Sequence, residues 1–206
     1  PDNRLLFRET LFTSARMKDC IGGVILYDET IKQTSKSGGT IPELISNFNS
    51  VSGIKVDTGA KSLANSKEEK ITEGLDGLRE RLKEYYKLGA RFTKWRAVYV
   101  ISNKYPSKLS MQANSHALAR YAALVQECGM VPIVEPEVLM DGNHQAEECF
   151  NKTSEVIKKC YDELNKHKVD LKGTILKPNM ILPGSSSKKV IDTKKIAELT
   201  LKCLKM

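Results

Sequence analysis

The sequence predicts an α/β protein built on parallel strands, and two observations support that prediction. Apolar runs of strand length alternate with segments of helical periodicity five times along the 206 residues. These runs are continuously apolar, which is typical of strands buried on both faces by crossover helices. The chain is also long enough to bury a core, so we predict one domain over residues 1–206.

The first half of the chain contains three predicted strands separated by helices and polar connections. Residues 32–40 are rich in glycine and serine and are predicted as a loop, and residues 61–70 as a polar connection. Proline stands in the first turn of one predicted helix, and Gly89 ends another. The predicted helices are 3–15, 41–48 and 75–88, and the predicted strands are 20–27, 53–57 and 91–100.

The second half repeats the pattern. Helices are predicted over 114–128, 145–167 and 193–204, with strands over 131–137 and within the apolar stretch 173–182. That last stretch is interrupted by Lys177 and a proline. Because proline pushes the preceding residue out of the α region, Lys177 is predicted at or near a strand end. Its apolar neighbours would favour the free amine, which is the form that attacks a carbonyl carbon.

Four successive predicted strands end in two polar residues spaced two positions apart. Residues at positions i and i+2 of a strand point to the same side, so each pair should share a face. An open doubly wound sheet and a (β/α)8 barrel both fit the alternation of elements, but a barrel brings such strand ends together at one mouth. We therefore predict a barrel. The pairs are Lys55 with Asp57, Lys94 with Arg96, Glu135 with Glu137, and Lys177 with Asn179.

This set of residues suits Schiff-base chemistry on a phosphorylated sugar. Lys177 would be the nucleophile, and the nearby cation Lys94 would further favour its free amine. Glu135 and Glu137 would move protons while a carbinolamine forms and loses water. The remaining cations are predicted as phosphate ligands; they are Lys55, Arg96 and Arg4.

With these residues in view, the sequence resembles class I fructose-bisphosphate aldolase. The resemblance covers nearly the whole chain, and the segments around Glu135 and Lys177 are the most specific. The matching segments are NR at 3–4, CIGGVIL at 20–26, GIKVD at 53–57, GLDGL at 74–78, KWR at 94–96, LARYA at 118–122, VPIVEPE at 131–137 and LKPNM at 176–180.

The resemblance implies a TIM barrel that needs no metal or other cofactor and cleaves fructose 1,6-bisphosphate reversibly to dihydroxyacetone phosphate and glyceraldehyde 3-phosphate. Lys177 would form the imine, and Glu135 would be the principal proton donor and acceptor, with Glu137 and Lys94 in support. The resemblance also implies a homotetramer. By position, the residues implied to line the site or to lie near the phosphates are Asp57, Lys55, Lys94, Arg96 and Arg4.

Segments matching the family's first and last two strands are not found among the 206 residues. We therefore expect the chain to hold about strands two to six of the eight in a barrel, as a piece of a longer polypeptide. Five strands cannot close a barrel and would leave two bare sheet edges. If these residues stood alone, we would expect poor folding and little cleavage activity.

Composition limits the cellular setting and the partners. No run of eighteen apolar residues occurs, so no membrane span is predicted. Five scattered cysteines without a CxxC pair indicate reduced thiols in a cytoplasmic protein. The net charge of +8 suits anionic ligands such as sugar phosphates. Because the lysines are spread along helices, we predict neither nucleic acid nor membrane as a partner.

Three alternatives are weighed against this interpretation. Another imine-forming barrel aldolase, such as a transaldolase or deoxyribose-phosphate aldolase, is disfavoured by the paired glutamates and the LKPNM segment. A zinc-dependent aldolase needs clustered histidines. Here the three histidines are well apart in the sequence and are each predicted as surface residues; they are His116, His144 and His167.

The third alternative is a non-catalytic role, which the resemblance implies because the family binds filamentous actin and links adhesins to the cytoskeleton in some parasites. Lysines on the predicted helices would permit such a role, although solvated helix faces explain them as well. These lysines are Lys83, Lys87, Lys152, Lys158 and Lys159.

Overall fold

A computed structural model describes residues 2–36, 38–66, 68–189 and 191–206. Its centre is a parallel sheet of five strands in the order β1-β2-β5-β6-β7, beside a two-stranded antiparallel hairpin, β3-β4. The strands are β1 (Gly23–Leu26), β2 (Val51–Lys55), β3 (Gly59–Ser62), β4 (Lys70–Glu73), β5 (Phe92–Tyr99), β6 (Val131–Val138) and β7 (Ile175–Leu176).

Helices follow the strands of the sheet, as the sequence predicts. A short 3₁₀ turn, Leu171–Gly173, precedes β7. The α-helices are α1 (Asp2–Phe12), α2 (Met17–Cys20), α3 (Asp28–Ile31), α4 (Ile41–Asn47), α5 (Leu78–Lys87), α6 (Lys108–Glu127), α7 (Ala146–Lys166) and α8 (Thr193–Leu204). None of the described helices is long and apolar enough to cross a lipid bilayer.

The strand order decides between the two predicted architectures. The parallel strands follow one another in chain order without reversal, so the sheet lacks the switch point of a doubly wound fold. Helices α4, α6 and α7 pack on one face of it. Apolar residues of the opposite face stay exposed, as at Val51 and Ile175. This one-sided winding is the pattern of a (β/α)8 barrel, and five strands form an arc of it.

Strand β5 shows how the two faces divide the residues. Thr93, Trp95 and Ala97 are fully buried, toward the helices. The intervening Lys94 and Arg96 point to the other face, because successive side chains of a strand alternate. On this inner face the Phe92 ring covers Gly53 of β2, where an added Cβ would lie 2.3 Å from a ring carbon. Glycine at position 53 therefore allows the ring to pack directly on the strand.

The predicted polar connection 61–70 is only partly right: its middle joins β3 to β4, but its ends belong to these two strands, which form an unpredicted hairpin. Asn114 of α6 holds this hairpin: its Oδ1 accepts from the Thr72 backbone amide at 3.1 Å, and its Nδ2 donates to the Lys70 carbonyl at 2.9 Å. The buried Glu69 accepts from the Ser107 amide at 2.8 Å. Ser107 caps α6, which therefore begins six residues before the predicted start at 114.

Other differences concern short elements and boundaries. Helices α2 and α3, of four residues each, were not predicted, since so few residues show no helical periodicity. The predicted strand 20–27 is shortened to β1. The last strand of the sheet has two residues, and Lys177 follows it directly, which confirms the predicted strand end.

Candidate active site

The buried carboxylate of Glu135 lies at the centre of the predicted cluster. It projects from β6, and its side chain is only 3% exposed. Lys94 Nζ, from β5, lies 2.9 Å from Glu135 Oε2. Lys177 Nζ, from the end of β7, lies 2.5 Å from Glu135 Oε1. Three neighbouring strands thus place two amines on the two oxygens of one carboxylate.

The register of the strands explains why the side chains of Lys94, Glu135 and Lys177 come together. Arg96 of β5 pairs with Glu135 of β6, and Lys94 stands one i,i+2 step earlier on the same face. On the other side the Lys177 amide donates to the Val134 carbonyl at 2.9 Å, which continues the β6–β7 ladder by one residue. The sheet backbone therefore fixes where all three side chains begin, before any side-chain contact is made.

Opposing effects act on the ionisation of Glu135. Burial disfavours the charged carboxylate, but hydrogen bonds from the Lys177 and Lys94 ammonium groups outweigh burial and lower the pKa of Glu135. Glu135 is accordingly a carboxylate at neutral pH. Such a group can accept a proton, and it will hold that proton more readily once a neighbouring cation becomes neutral.

The solvation of Lys177 differs from the prediction. Its apolar neighbours in sequence suggested a poorly solvated amine, but the side chain is 54% exposed. Within the described residues β7 is an outer strand of the sheet, so the neighbours cover only one side. Among the described residues, this amine is therefore positioned by its contact with Glu135.

Arg96 and Glu137 form a second pair at the outer end of the cluster. Arg96 Nε lies 2.5 Å from Glu137 Oε2 and 3.9 Å from Glu135 Oε1. The hydrogen bond to Glu137 raises the pKa of Arg96 above its already high value. Arg96 is partly exposed, so its guanidinium is available to a solvent-borne anion beside the buried carboxylate.

Lys55 and Asp57 are brought to the same edge by β2. Lys55 Nζ lies 2.5 Å from Asp57 Oδ1, and the backbone amide of Arg96 approaches Asp57 Oδ2 at 3.4 Å. The Gly59 amide also donates to Asp57 Oδ1, at 3.1 Å. Asp57 is thus held in place between β2 and β5, next to the Arg96–Glu137 pair.

Arg4 and Asn179 are not joined to this cluster. Arg4 Nη2 pairs with Glu29 Oε1 at 3.1 Å, on the exposed surface just beyond the end of β1. Asn179 accepts from the Val138 amide at 3.0 Å and donates to Thr153 of α7 at 3.1 Å. The predicted pairing of Lys177 with Asn179 on one face is wrong because β7 ends at Leu176, and strand alternation ends with it.

Two positioning contacts near the cluster were missed by the sequence analysis. Thr72 of the hairpin donates from its hydroxyl to the Arg96 carbonyl at 2.7 Å. Beneath the cluster, the hydroxyls of Thr93 and Tyr121 lie 2.6 Å apart, and the Tyr121 hydroxyl also donates to the Ile133 carbonyl at 3.2 Å. Thr93, a polar residue within a predicted strand, gave a weak signal in the sequence, whereas the contacts of Thr72 and Tyr121 depend on tertiary packing.

The predictions for the histidines are partly wrong. His144 is buried rather than exposed at the surface. His116 and His167, though well apart in the sequence, lie with their ring centroids 4.9 Å apart between α6 and α7. Both are remote from the cluster, because they lie on the helix side of the sheet.

The fold and the cluster define the class of the molecule: an α/β barrel arc whose charged residues meet at the carboxyl ends of its strands. The family profile described as glycolytic, fructose-bisphosphate aldolase class-I, matches residues 1–206. The chain belongs to the class I fructose-bisphosphate aldolase family, which confirms the resemblance and the predicted fold class.

Named relatives agree with this assignment. A probable fructose-bisphosphate aldolase class 1 of Xylella fastidiosa is 49% identical over 204 residues, which cover 99% of this chain and 61% of the relative. The cytosolic fructose-bisphosphate aldolase 6 of Arabidopsis thaliana is 48% identical over 202 residues, covering 98% of this chain and 56% of the relative. The chain thus spans about three fifths of the length of these relatives.

A solved structure is similar over the same extent. It is a ternary co-crystal structure of fructose-bisphosphate aldolase from Plasmodium falciparum in complex with TRAP and a small-molecule inhibitor. The TM-score is 0.96 at 42% sequence identity, and the match covers 98% of this chain and 59% of the other. The arc of five strands is therefore the same arc as in an aldolase barrel.

Proposed function

We propose that the protein to which this chain belongs cleaves fructose 1,6-bisphosphate reversibly to dihydroxyacetone phosphate and glyceraldehyde 3-phosphate through an imine on Lys177. One observation supports the proposal above the others: Lys177 Nζ lies 2.5 Å from Glu135 Oε1, while Lys94 occupies the second oxygen of that carboxylate. A nucleophile and its base within hydrogen-bond reach, with the base held by a third group, is the arrangement that nucleophilic catalysis requires.

In the proposed sequence, Glu135 first takes a proton from the Lys177 ammonium, and the free amine attacks the keto carbon of the substrate. The attacking nitrogen loses one proton and the carbonyl oxygen gains one, which gives the hydroxyl of a neutral carbinolamine. Protonated Glu135 then donates its proton to that hydroxyl, which leaves as water while the nitrogen lone pair forms the iminium. The net change is one ammonium and one carbonyl converted to one iminium and one water.

Lys94 has two roles in this proposal. Its ammonium stabilises the carboxylate of Glu135 before the proton transfer and again after water leaves, and it disfavours a second ammonium nearby. Glu137 supports the site by holding Arg96 at its outer end. The remaining cations are proposed as ligands for the substrate phosphates, with Arg4 the least directly placed; they are Arg96, Lys55 and Arg4. Asp57 would orient Lys55.

Borohydride trapping with dihydroxyacetone phosphate, followed by peptide mapping, tests this proposal. We expect one covalent adduct, on Lys177, and no adduct in the Lys177→Arg variant, whose charge is retained but whose guanidinium does not form the imine. Lys159→Arg on α7 is the matched control and should label as the unchanged chain does. An adduct on any other lysine would overturn the assignment of the nucleophile.

The proposed route uses lysine and glutamate side chains alone, without metal or cofactor. We therefore expect the trapping yield to be unchanged after treatment with EDTA. A competing imine-forming aldolase activity is separated by substrate: fructose 1,6-bisphosphate should be cleaved and deoxyribose phosphate should not. Cleavage of deoxyribose phosphate alone would favour the competing class.

A second candidate function is the linking of actin or an adhesin to the cytoskeleton, favoured by the structure of the Plasmodium falciparum relative in complex with TRAP. The exposed lysines Lys83 and Lys158 could bind an acidic partner, whereas Lys152 and Lys159 each approach a glutamate of their own helix. Actin co-sedimentation that survives Lys177→Ala and disappears in moderate salt would support a separate electrostatic surface.

We further propose that residues 1–206 form one domain, since a single cluster of buried side chains runs from Phe12 to Cys203. A homotetramer in the cytoplasm is proposed from family membership and from the Arabidopsis relatives named as cytosolic. Sedimentation analysis measures the oligomeric state, and a monomer at micromolar concentration would contradict it.

A further inference from the structure

A group of three possible metal ligands lies between α6 and α7, apart from the proposed active site. His116 belongs to α6, Glu163 to the last turns of α7, and His167 caps the end of that helix. One ligand atom from each residue lies within 4.8 Å of the other two. His116 Nδ1 lies 3.6 Å from Glu163 Oε2. The group therefore needs only side-chain adjustments to converge on one ion.

The ring of His167 is already oriented as in a metal site. Its Nδ1 lies 2.9 Å from the Glu163 carbonyl oxygen. A carbonyl oxygen only accepts hydrogen bonds, so Nδ1 carries the proton and Nε2 keeps its lone pair. Metal-binding histidines usually donate their second ring N–H to a carbonyl or carboxylate in this way, which fixes both tautomer and ring direction.

Glu163 supplies a buried, ionised carboxylate with one oxygen available. Its Oε1 accepts from Lys166 Nζ at 2.9 Å and from Gln112 Nε2 at 3.0 Å, and Lys159 Nζ lies 3.9 Å away. These contacts hold the carboxylate of Glu163 by its Oε1 atom. Its Oε2 faces His116 at a distance too long for a hydrogen bond, so this oxygen keeps a lone pair toward the histidines.

We propose that His116, Glu163 and His167 bind a divalent cation of the zinc class, with water completing the coordination. Two imidazoles and one carboxylate suit Zn²⁺, Co²⁺ or Ni²⁺ better than Mg²⁺ or Ca²⁺, which prefer oxygen ligands. Ligands of a tetrahedral zinc ion lie about 3.3 Å apart, given its usual bond lengths. The observed 3.6 Å between His116 and Glu163 is near that separation. The exposed side of His116 leaves room for the water ligand.

The position of the group indicates that the ion would link helices rather than take part in the proposed catalysis. Helix α7 leaves the carboxyl edge of β6 and returns to the amino edge of the sheet before β7. Glu163 and His167 at its end are therefore at the opposite edge from Glu135. An ion that binds only the folded chain would stabilise the packing of α6 against α7.

Titration of the tag-free, folded protein to which this chain belongs with Zn²⁺ in a calorimeter, after removal of metals and alkylation of the exposed Cys20, tests the proposal. We expect one equivalent to bind, and His116→Ala and His167→Ala each to weaken binding by more than about 10-fold, since even outer partners of a metal site contribute that much. Glu155→Gln, which changes an exposed carboxylate of α7, is the matched control and should bind as the unchanged chain does.

Two further measurements complete the test. Lys166→Met removes a cation that competes for Glu163 and should tighten Zn²⁺ binding; unchanged or weaker binding would contradict Glu163 as a ligand. Zn²⁺ should raise the thermal midpoint of the unchanged chain and of Glu155→Gln but not of His116→Ala. Failure of the unchanged chain to bind, or full affinity in both histidine variants, would overturn the proposal.

Discussion

Two buried glutamates of this chain both pair with lysines, but those lysines are carried by different secondary-structure elements. The side chains of Glu135 and Glu163 are 3% and 4% exposed, and each accepts a hydrogen bond from a lysine ammonium. The pKa of each is lowered by its lysine partners. At Glu135 the cations come from two other strands, whereas at Glu163 both lysines lie on the same helix as the glutamate.

This difference decides how freely each charge can be rearranged. Lys94 starts from a paired strand and is 15% exposed, so it cannot leave Glu135 without losing its ion pair at a poorly solvated position. Lys166 is 63% exposed and can return to water when its contact is lost. Strand-borne ion pairs are therefore suited to a site where charges must stay fixed during a reaction. A glutamate whose lysine partners lie on its own helix and are solvated can exchange them for another cation.

The largest effect is expected for Glu135→Gln, which keeps the shape of the side chain and removes its charge. Imine formation on Lys177 should slow by roughly 10²- to 10⁴-fold, because the proton acceptor is lost. The free energy of unfolding should fall by about 3 kcal/mol, since Lys94 keeps a buried charge without its partner. Stopped-flow trapping and urea unfolding measure the two quantities.

Glu137→Gln is the control for this prediction. Glu137 lies on the same strand, two residues further on, but it and its partner Arg96 are both partly exposed. Glu137→Gln should therefore lower the free energy of unfolding by about 1 kcal/mol or less. Equal losses in the free energy of unfolding for Glu135→Gln and Glu137→Gln would show that the burial of Glu135 does not make its ion pairs more stabilising than that of Glu137.

A smaller effect is expected at Arg96, which we propose as a phosphate ligand. Arg96→Ala should weaken the binding of dihydroxyacetone phosphate by about 10-fold or somewhat more, as expected for one charge-assisted hydrogen bond. Arg4→Ala should change it less, because Arg4 pairs with Glu29 away from the cluster. A fluorescence or calorimetric titration of the ligand measures both, and a larger loss for Arg4→Ala would reverse their order.

The strand-borne site could be predicted from the sequence, and the helix-borne group only in part. Polar residues two positions apart at the ends of apolar strands indicated Glu135, Lys94 and Lys177, because strand alternation is a local property. The spacing of Glu163, Lys166 and His167 is also local, as helix neighbours three and four positions apart. The approach of His116 depends on how α6 and α7 pack, which no local pattern encodes.

Similar reasoning explains the errors in the fold. Extended apolar runs and long periodic helices were found because they involve many residues. The hairpin β3-β4 was missed because its strands are polar, and contacts with Asn114 on a distant helix hold them in place. The placement of Asn179 was wrong because it followed strand alternation past the point where β7 ends.

The stability contributed by Glu163 should depend on pH. Its pKa in the folded chain, about 2, is below its ordinary value of 4.5. The ionised group therefore stabilises the fold fully above pH 4.5, and this contribution is lost as the pH falls toward 2. Relative to Glu163→Gln, the unchanged chain should be more stable by about 1 to 2 kcal/mol at neutral pH, after allowance for solvent screening at Lys166. Urea unfolding should show this advantage shrinking on acidification, and a growing advantage would contradict the assigned direction.

The smallest effect is expected for Lys152→Met, which removes an i,i+3 pair with Glu155 on the same helix as Glu163. Both partners are at least partly exposed, so the free energy of unfolding should change by less than about 0.5 kcal/mol. This variant alters a lysine–glutamate pair of α7 without changing a buried carboxylate. It therefore shows how much such a pair contributes to the free energy of unfolding when it is solvated. A loss of more than about 1 kcal/mol in urea unfolding would mean that helix-borne pairs stabilise this chain even when solvated. The contrast between Glu135 and Glu163 could then not be attributed to the secondary-structure elements that carry their lysine partners.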